Sequence, residues 1–270
     1  MNIKQLLSVN NFEFNKKFGQ NFITDTNLLN AIVKDTGITR EDEVLEIGTG
    51  AGTLTQIIAE NCKKVITYEI DKKLTEILQA TLSPLANCVS HITDVMKMTL
   101  SQIEDEFEGK YHIIANLPYY ITTPIIFKFL NSSKLITMNI MVQKEVAERI
   151  CAKPNTKNYG IISILINAVA DAKISRIVNR NMFTPPPNVD SAIVQITKNN
   201  KYPNLNIEQF GELVHCSFAM RRKTLVNNLS TYYQKTKDEI TSIINPLSPN
   251  IRAESLTIED FIMLCDKIYK

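Results

Sequence analysis

Two short stretches hold residue types suited to chemistry. The first is Glu46-Ile47-Gly48-Thr49-Gly50-Ala51-Gly52, which follows a predicted strand and opens a predicted helix. Glycines let the backbone take unusual dihedrals and approach a ligand closely. The G-x-G-x-G spacing lacks the third-glycine spacing of a dinucleotide fingerprint. Taken alone, the motif reads either as a ligand cradle or as a plain tight turn. Glu69 ends the next strand, 17 residues after Gly52, where an acidic side chain is placed to accept from ribose hydroxyls. Asp94 follows the third strand and reads either as a contact to an adenine amino group or as a turn cap. The second stretch is Asn116-Leu117-Pro118-Tyr119, at the end of a fourth strand. Asn supplies a side-chain carbonyl acceptor. Pro118 stiffens the turn and biases Leu117 to an extended conformation that can aim its carbonyl outward. Tyr119 offers a flat face for a base. Together they suit an exocyclic amine held by its two N–H groups while its ring is stacked; the alternative is a strand-ending turn with a surface tyrosine.

The elements that must position these residues alternate. Strands are expected at 44–47, 65–69, 88–92, 111–115 and 136–142, with helices at 53–62, 72–82, after Pro124 and at 144–150. Such alternation indicates an α/β domain with a mostly parallel sheet, whose ligands sit beyond the carboxyl ends of the strands. Two further strands, 172–178 and 189–197, flank Pro185-Pro186-Pro187, a run excluded from helices and central strands. They read as a hairpin-like pair at the sheet edge, joined by a stiff loop. From 207 the pattern is helical, with helices expected at 207–219, 223–232, 237–244 and 258–268. The expected domains are 1–202 and 203–270.

Composition narrows the class. The chain has 270 residues, 44% apolar and 21% charged, enough for a sizeable core and too apolar for disordered or collagen-like classes. Its apolar runs are far shorter than the ~20 residues that span a bilayer. Residues 1–14 lack a signal-peptide pattern. A soluble cytoplasmic protein with no membrane partner is expected. The five cysteines are separated and include no C-x-x-C, and the three histidines are scattered. Reduced thiols and no metal site are expected. Net charge is only +2, yet residues 173–223 hold eight Lys and Arg against three acids, while residues 41–172 hold twelve against sixteen. That asymmetry reads as a polyanion-binding face or as chance clustering. Arg221-Arg222-Lys223 falls at the start of a predicted helix, where cations oppose the macrodipole. The run reads either as a polyanion contact or as ion pairing with acids between the two domains.

Several of these stretches, in order, resemble the ribosomal RNA adenine dimethyltransferases. Residues 16–31, beginning Lys16-Lys17-Phe18-Gly19-Gln20-Asn21-Phe22-Ile23, look like that family's N-terminal motif. Glu46 to Gly52, Tyr68-Glu69, Asp94, Asn116 to Tyr119 and Phe183-Thr184-Pro185-Pro186-Pro187 follow in its order and spacing. Phe218 to Leu225 with Asn227-Asn228-Leu229 looks like the helical-domain signature of the small-subunit branch. The resemblance runs from about 14 to 229. It implies a class I S-adenosyl-L-methionine-dependent methyltransferase fold, Rossmann-like with a mostly parallel seven-stranded sheet, and a small C-terminal all-helical domain. The implied substrate is a pair of adjacent adenosines in a loop near the 3′ end of small-subunit (16S) rRNA. Each is dimethylated at N6 within a pre-assembled small subunit, by a monomer with a role in subunit biogenesis. By position, Asn21 and Ile23 would close over the cofactor and Gly48 would meet it with main chain. Glu69 would take its ribose and Asp94 its adenine. Asn116, Leu117, Pro118 and Tyr119 would form the catalytic turn, with Phe183 stacking on the target base opposite Tyr119. Lys16, Lys17, Arg221, Arg222 and Lys223 would contact RNA. Ile23, Thr49 and Tyr120 stand where the family commonly has Leu, Pro and Asn. Three other readings remain: the large-subunit (23S) branch that gives macrolide-type resistance, a nucleotide-dependent oxidoreductase, and a mainly non-catalytic ribosome assembly factor.

Overall fold

The computed structural model describes residues 21–118 and 120–269. Its described residues form two compact units: one runs through Ala147 and adds Lys173–Lys198, the other takes Glu148–Ala172 and the chain from Asn199.

The first unit is built on a seven-stranded sheet. Its strands are β2 (Glu43–Ile47), β3 (Lys64–Glu69), β4 (Cys88–Ile92), β5 (Tyr111–Asn116), β6 (Leu135–Gln143), β7 (Ala170–Val178) and β9 (Ser191–Lys198). The order is β4-β3-β2-β5-β6-β9-β7. The β4, β3, β2, β5 and β6 neighbours pair in parallel, whereas β9 runs antiparallel to β6 with Asn139 opposite Gln195. All of β2 and nearly all of β3 is buried, as expected of parallel strands covered on both faces. The helices of this unit are α1 (Thr26–Thr36), α2 (Thr53–Asn61), α3 (Thr75–Leu82), α4 (Leu100–Glu104) and α5 (Thr122–Leu130). α1 starts where the Asp25 side chain accepts from the Leu28 N–H at 3.0 Å and stops at Gly37 in the left-handed region. Its Leu29, Ile32 and Val33 join a cluster with Val44, Ile58 and Ile114.

A second, two-stranded sheet pairs β1 (Phe22–Ile23) with β8 (Phe183–Thr184), Phe22 opposite Thr184 and Ile23 opposite Phe183. The segment entering the proline run is therefore more than a stiff loop. It fixes the chain just after Asn21.

The second unit is helical. It holds α7 (Ile161–Asn167), α8 (Ile207–Ser217), α9 (Leu225–Tyr233), α10 (Lys237–Ile244) and α11 (Ile258–Tyr269); α6 (Lys144–Ile150) and the start of β7 run across the division. Ile164 shares a buried apolar cluster with Phe210, Leu213, Leu229 and Phe261. The Tyr159 hydroxyl donates to the Leu256 carbonyl at 2.8 Å. Residues 148–172, which the sequence reading gave to the first domain, thus pack with the late helices. Their local strand–helix pattern continues the earlier alternation, but their apolar face has its partners about 50 to 100 residues later. No described helix is long and apolar enough to cross a membrane, and no group of His, Cys, Asp and Glu among the described residues could hold a metal ion.

Candidate active site

A cleft opens at the carboxyl ends of β2, β3 and β5, lined by Asn21, Ile23, Gly48, Glu69, Asp94, Asn116, Leu117 and Pro118. The structure thus gathers from five separate stretches most of the residues that the sequence singled out. The glycine turn is shaped by contact as well as by dihedral. Gly48 and Gly50 have φ of 78° and 58°. A Cβ on Gly50 would sit 2.7 Å from the Phe22 ring. A Cβ on Gly48 would meet the Asn116 carbonyl oxygen at 3.5 Å. The turn therefore lies close against both β1 and the Asn116 turn.

Glu69 is buried, 5% exposed, and its two oxygens accept from the Gly50 N–H at 2.8 Å and the Asp71 N–H at 2.9 Å. Burial pushes its pKa up, and these two backbone bonds oppose that shift. A carboxylate has about four acceptor sites, so capacity remains for ligand hydroxyls. Glu69 both holds the glycine turn and presents charge to the cleft. Glu46 is 1% exposed and its carboxyl is bonded to the Thr55 hydroxyl at 2.5 Å. Burial first, and then the nearby Glu69, raise its pKa to about 8. The Thr49 hydroxyl in the same turn is buried without a hydrogen-bond partner among the described residues. An orphan of this kind carries a desolvation cost of about 1–3 kcal/mol and fits a turn that receives a polar ligand.

Asn116 caps β5, and its Nδ2 donates to the Asn21 carbonyl at 3.0 Å. That bond fixes the amide and leaves Oδ1 as its acceptor. Behind it the Leu117 N–H donates to the Met141 carbonyl at 3.3 Å, and the Pro118 carbonyl accepts from Ile121 as α5 begins. Asp94 lines the cleft, and its Oδ1 accepts from the Met96 N–H at 2.9 Å, so it caps the turn at Val95. Tyr119 lies outside the described residues.

A model of the ribosomal RNA adenine dimethylase family matches residues 11–270. The chain belongs to this family. It is 40% identical to a ribosomal RNA small subunit methyltransferase A of Streptococcus sanguinis (strain SK36), over 98% of this chain and 95% of that one. It is 41% identical to the protein of the same name from Enterococcus faecalis (strain ATCC 700802 / V583), over 99% and 94%. A dimethyladenosine transferase from Plasmodium falciparum superposes with a TM-score of 0.78 at 27% identity, covering 90% and 95%. The 23S rRNA methyltransferase ErmE, at 21% identity, superposes with a TM-score of 0.71 over 93% and 100%, a likeness of fold. The class I methyltransferase fold expected of the sequence is the fold found.

Two groups of residues in this rRNA adenine dimethylase lie elsewhere than expected. Phe183 is 3% exposed and packs in the apolar cluster of Ile23, Leu29, Val178 and Ile193, behind residues that line the cleft rather than in its lining. The hydrophobic ring is satisfied there by the β1–β8 pairing. Arg221, Arg222 and Lys223 do not start a helix; they stand in the turn before Thr224, whose hydroxyl caps α9. This removes the macrodipole conflict. Arg221 donates to the Lys157 carbonyl at 2.7 Å and faces Glu254 at 3.6 Å, so it pairs with an acid within the helical unit. Arg222 and Lys223 are exposed, with no side-chain partner among the described residues. Lys16 and Lys17 lie outside those residues.

Sequence reasoning missed Asn139 as a cleft residue. It lines the floor from β6, 3% exposed, and its Nδ2 donates to the Thr137 hydroxyl at 3.2 Å. The available signal was one amide inside the apolar run Met138 to Val142.

Proposed function

We propose that this chain is an S-adenosyl-L-methionine-dependent enzyme of the cytoplasm. It converts two adjacent adenosines near the 3′ end of small-subunit rRNA to N6,N6-dimethyladenosine, acting as a monomer on a pre-assembled small subunit and aiding its biogenesis. The observation that carries the reading is the Asn116 amide, whose Nδ2 is committed to Asn21 so that Oδ1 serves as an acceptor at the cleft. The near full-length identity to small-subunit methyltransferases supports the choice of subunit.

The residues fit the cofactor. Gly48 and Thr49 would meet its methionine end, Glu69 its ribose, Asp94 its adenine amine, and Asn21 and Ile23 would cover it. When bound, it supplies a methyl group already activated on a sulfonium. The chain's task is then orientation. Adenine N6 is a weak nucleophile because its lone pair is delocalised into the ring. The Asn116 Oδ1 and the Leu117 carbonyl accept its two N–H groups and favour a pyramidal amine with a freed lone pair. Pro118 stiffens that turn. The proton leaves to water once N6 carries the new methyl and has become acidic. The target base must be turned out of the RNA to enter. Tyr119 holds it by stacking, worth about 1–3 kcal/mol. Phe183 supports the segment after Asn21 from within the core. Arg222 and Lys223, together with Lys16 and Lys17, contact RNA phosphates, while Arg221 mainly holds the turn.

The test is transfer of labelled methyl groups to separated ribosomal subunits that lack the modification. Label entering the small subunit supports the reading. Label entering only the large subunit overturns it in favour of the 23S branch. Tight subunit binding without label overturns it in favour of an assembly factor.

A further inference from the structure

The side chain of Lys128 lies outside both sequence motifs, yet it touches the segment that carries one of the cleft acids. Lys128 is on α5, whose N-cap residue Ile121 donates its N–H to the Pro118 carbonyl. Its ammonium donates to the Val95 carbonyl at 2.8 Å and also to the Met98 carbonyl. These two carbonyls bracket the single 3₁₀ turn Val95–Lys97 that Asp94 caps. Asp94 is therefore held from two sides: its Oδ1 accepts from the Met96 N–H inside the turn, and Lys128 draws the carbonyls of the turn toward α5. A turn of three residues has little stability of its own, because one or two hydrogen bonds must offset the ordering of several dihedrals. Charge-assisted bonds to two carbonyls are among the stronger ways to fix it. Lys128 is half-buried, which lowers its pKa, and the nearby Asp94 charge opposes that lowering.

We infer that Lys128 is a positioning residue for adenine recognition: it clamps the Val95–Met98 turn so that the free carboxylate oxygen of Asp94 faces the amino group of the cofactor's adenine. The inference rests on the cofactor reading above. It also ties the adenine wall of the cleft to the helix that grows from the catalytic turn, so that one lysine sets both. A lysine that served stability alone would not distinguish between two ligands differing only on the amine-bearing edge of the base, at its 6-substituent and N1.

The experiment is calorimetry with S-adenosylhomocysteine and with S-inosylhomocysteine, in which a carbonyl replaces the adenine amine. Wild-type protein is expected to bind the adenosine form at least about tenfold more tightly. Lys128→Met is expected to lose most of that preference by weakening the adenosine form, with the inosine form little changed. Lys128→Arg, which can still donate to both carbonyls, is expected to keep the preference. Should Lys128→Met fail to fold, Lys128→Gln, with a shorter stem and no charge, is read in the same way. A preference that survives Lys128→Met, or an equal loss for both ligands, overturns the inference. Failure of the wild-type protein to bind S-adenosylhomocysteine overturns the cofactor reading itself, and the inference with it.

Discussion

The two units hold their polar residues in opposite ways. In the sheet unit the acids and amides facing the cleft are buried or half-buried and tied to backbone or hydroxyl groups: Glu69 to Gly50 and Asp71, Glu46 to Thr55, Asn116 to Asn21. In the helical unit the core is mostly apolar, with Asn228 and Ser217 among its buried polar exceptions, and Arg222 and Lys223 stand exposed on a turn. Buried, bonded groups have fixed directions, which is what selecting a cofactor and orienting one amine require. Exposed cations have reach without fixed direction, which suits a phosphate backbone that fixes register rather than sequence. The contrast implies that substitutions in the first unit change chemistry and cofactor affinity, whereas those on the turn change RNA affinity and its salt dependence.

The largest expected effect is at Asn116. Asn116→Ala should lower methyl transfer by at least about 100-fold, the scale for removing one preorganised hydrogen-bonding group, with small-subunit affinity nearly unchanged. Single-turnover methylation beside a filter-binding isotherm checks both; wild-type turnover would break the contrast at its catalytic end. Next is Gly50→Ala. A left-handed φ costs an L-residue about 1–2 kcal/mol, and the added Cβ falls on the Phe22 ring. The melting temperature should drop and S-adenosylhomocysteine affinity should fall with it, because Glu69 loses its place on the Gly50 N–H.

Arg222→Ala with Lys223→Ala should weaken small-subunit binding without changing S-adenosylhomocysteine affinity. The slope of log affinity against log salt should fall by about 0.7–0.9 for each phosphate no longer neutralised. Arg221→Ala sharpens the comparison. Its guanidinium is tied to Lys157 and Glu254, so its removal should lower thermal stability more than it lowers the salt slope. The reverse order of effects would make Arg221 the phosphate ligand.

A separate effect, on pH dependence, concerns Glu46. Its folded pKa of about 8 stands above the ordinary value of 4.5. Folding therefore favours the protonated acid, and the stability so gained is present below pH 4.5 and is lost as pH rises through 8. Melting temperature without cofactor should decline between pH 5 and 8, and Glu46→Gln should flatten that decline. An unchanged slope in the variant would assign the pH dependence to other groups.

Much of the cleft is legible in sequence because its signals are local. A glycine turn after a strand, an acid at the next strand end, and Asn116-Leu117-Pro118 each declare their geometry within a few residues. What is not legible depends on partners far away. Residues 148–172 look like more α/β chain until Ile164 is seen against Phe210 and Phe261. Arg221 looks like its two neighbours until its guanidinium is seen on a carbonyl 64 residues back. Phe183 carries a motif that suggests a base platform, but a two-residue strand pairing with Ile23 turns its ring into the core. Glu69 is legible as a candidate acceptor at a strand end. Its hold on the Gly50 N–H shows only when β2 and β3 lie side by side.

The most direct test of the central claim is mass spectrometry of rRNA fragments after reaction of the wild-type enzyme with S-adenosylmethionine and unmodified small subunits. The expected result is up to four methyl groups on two adjacent adenosines near the 3′ end of the small-subunit rRNA, all at N6, and none on large-subunit rRNA. Methyl groups on a large-subunit adenosine, or none on either rRNA, would contradict the account.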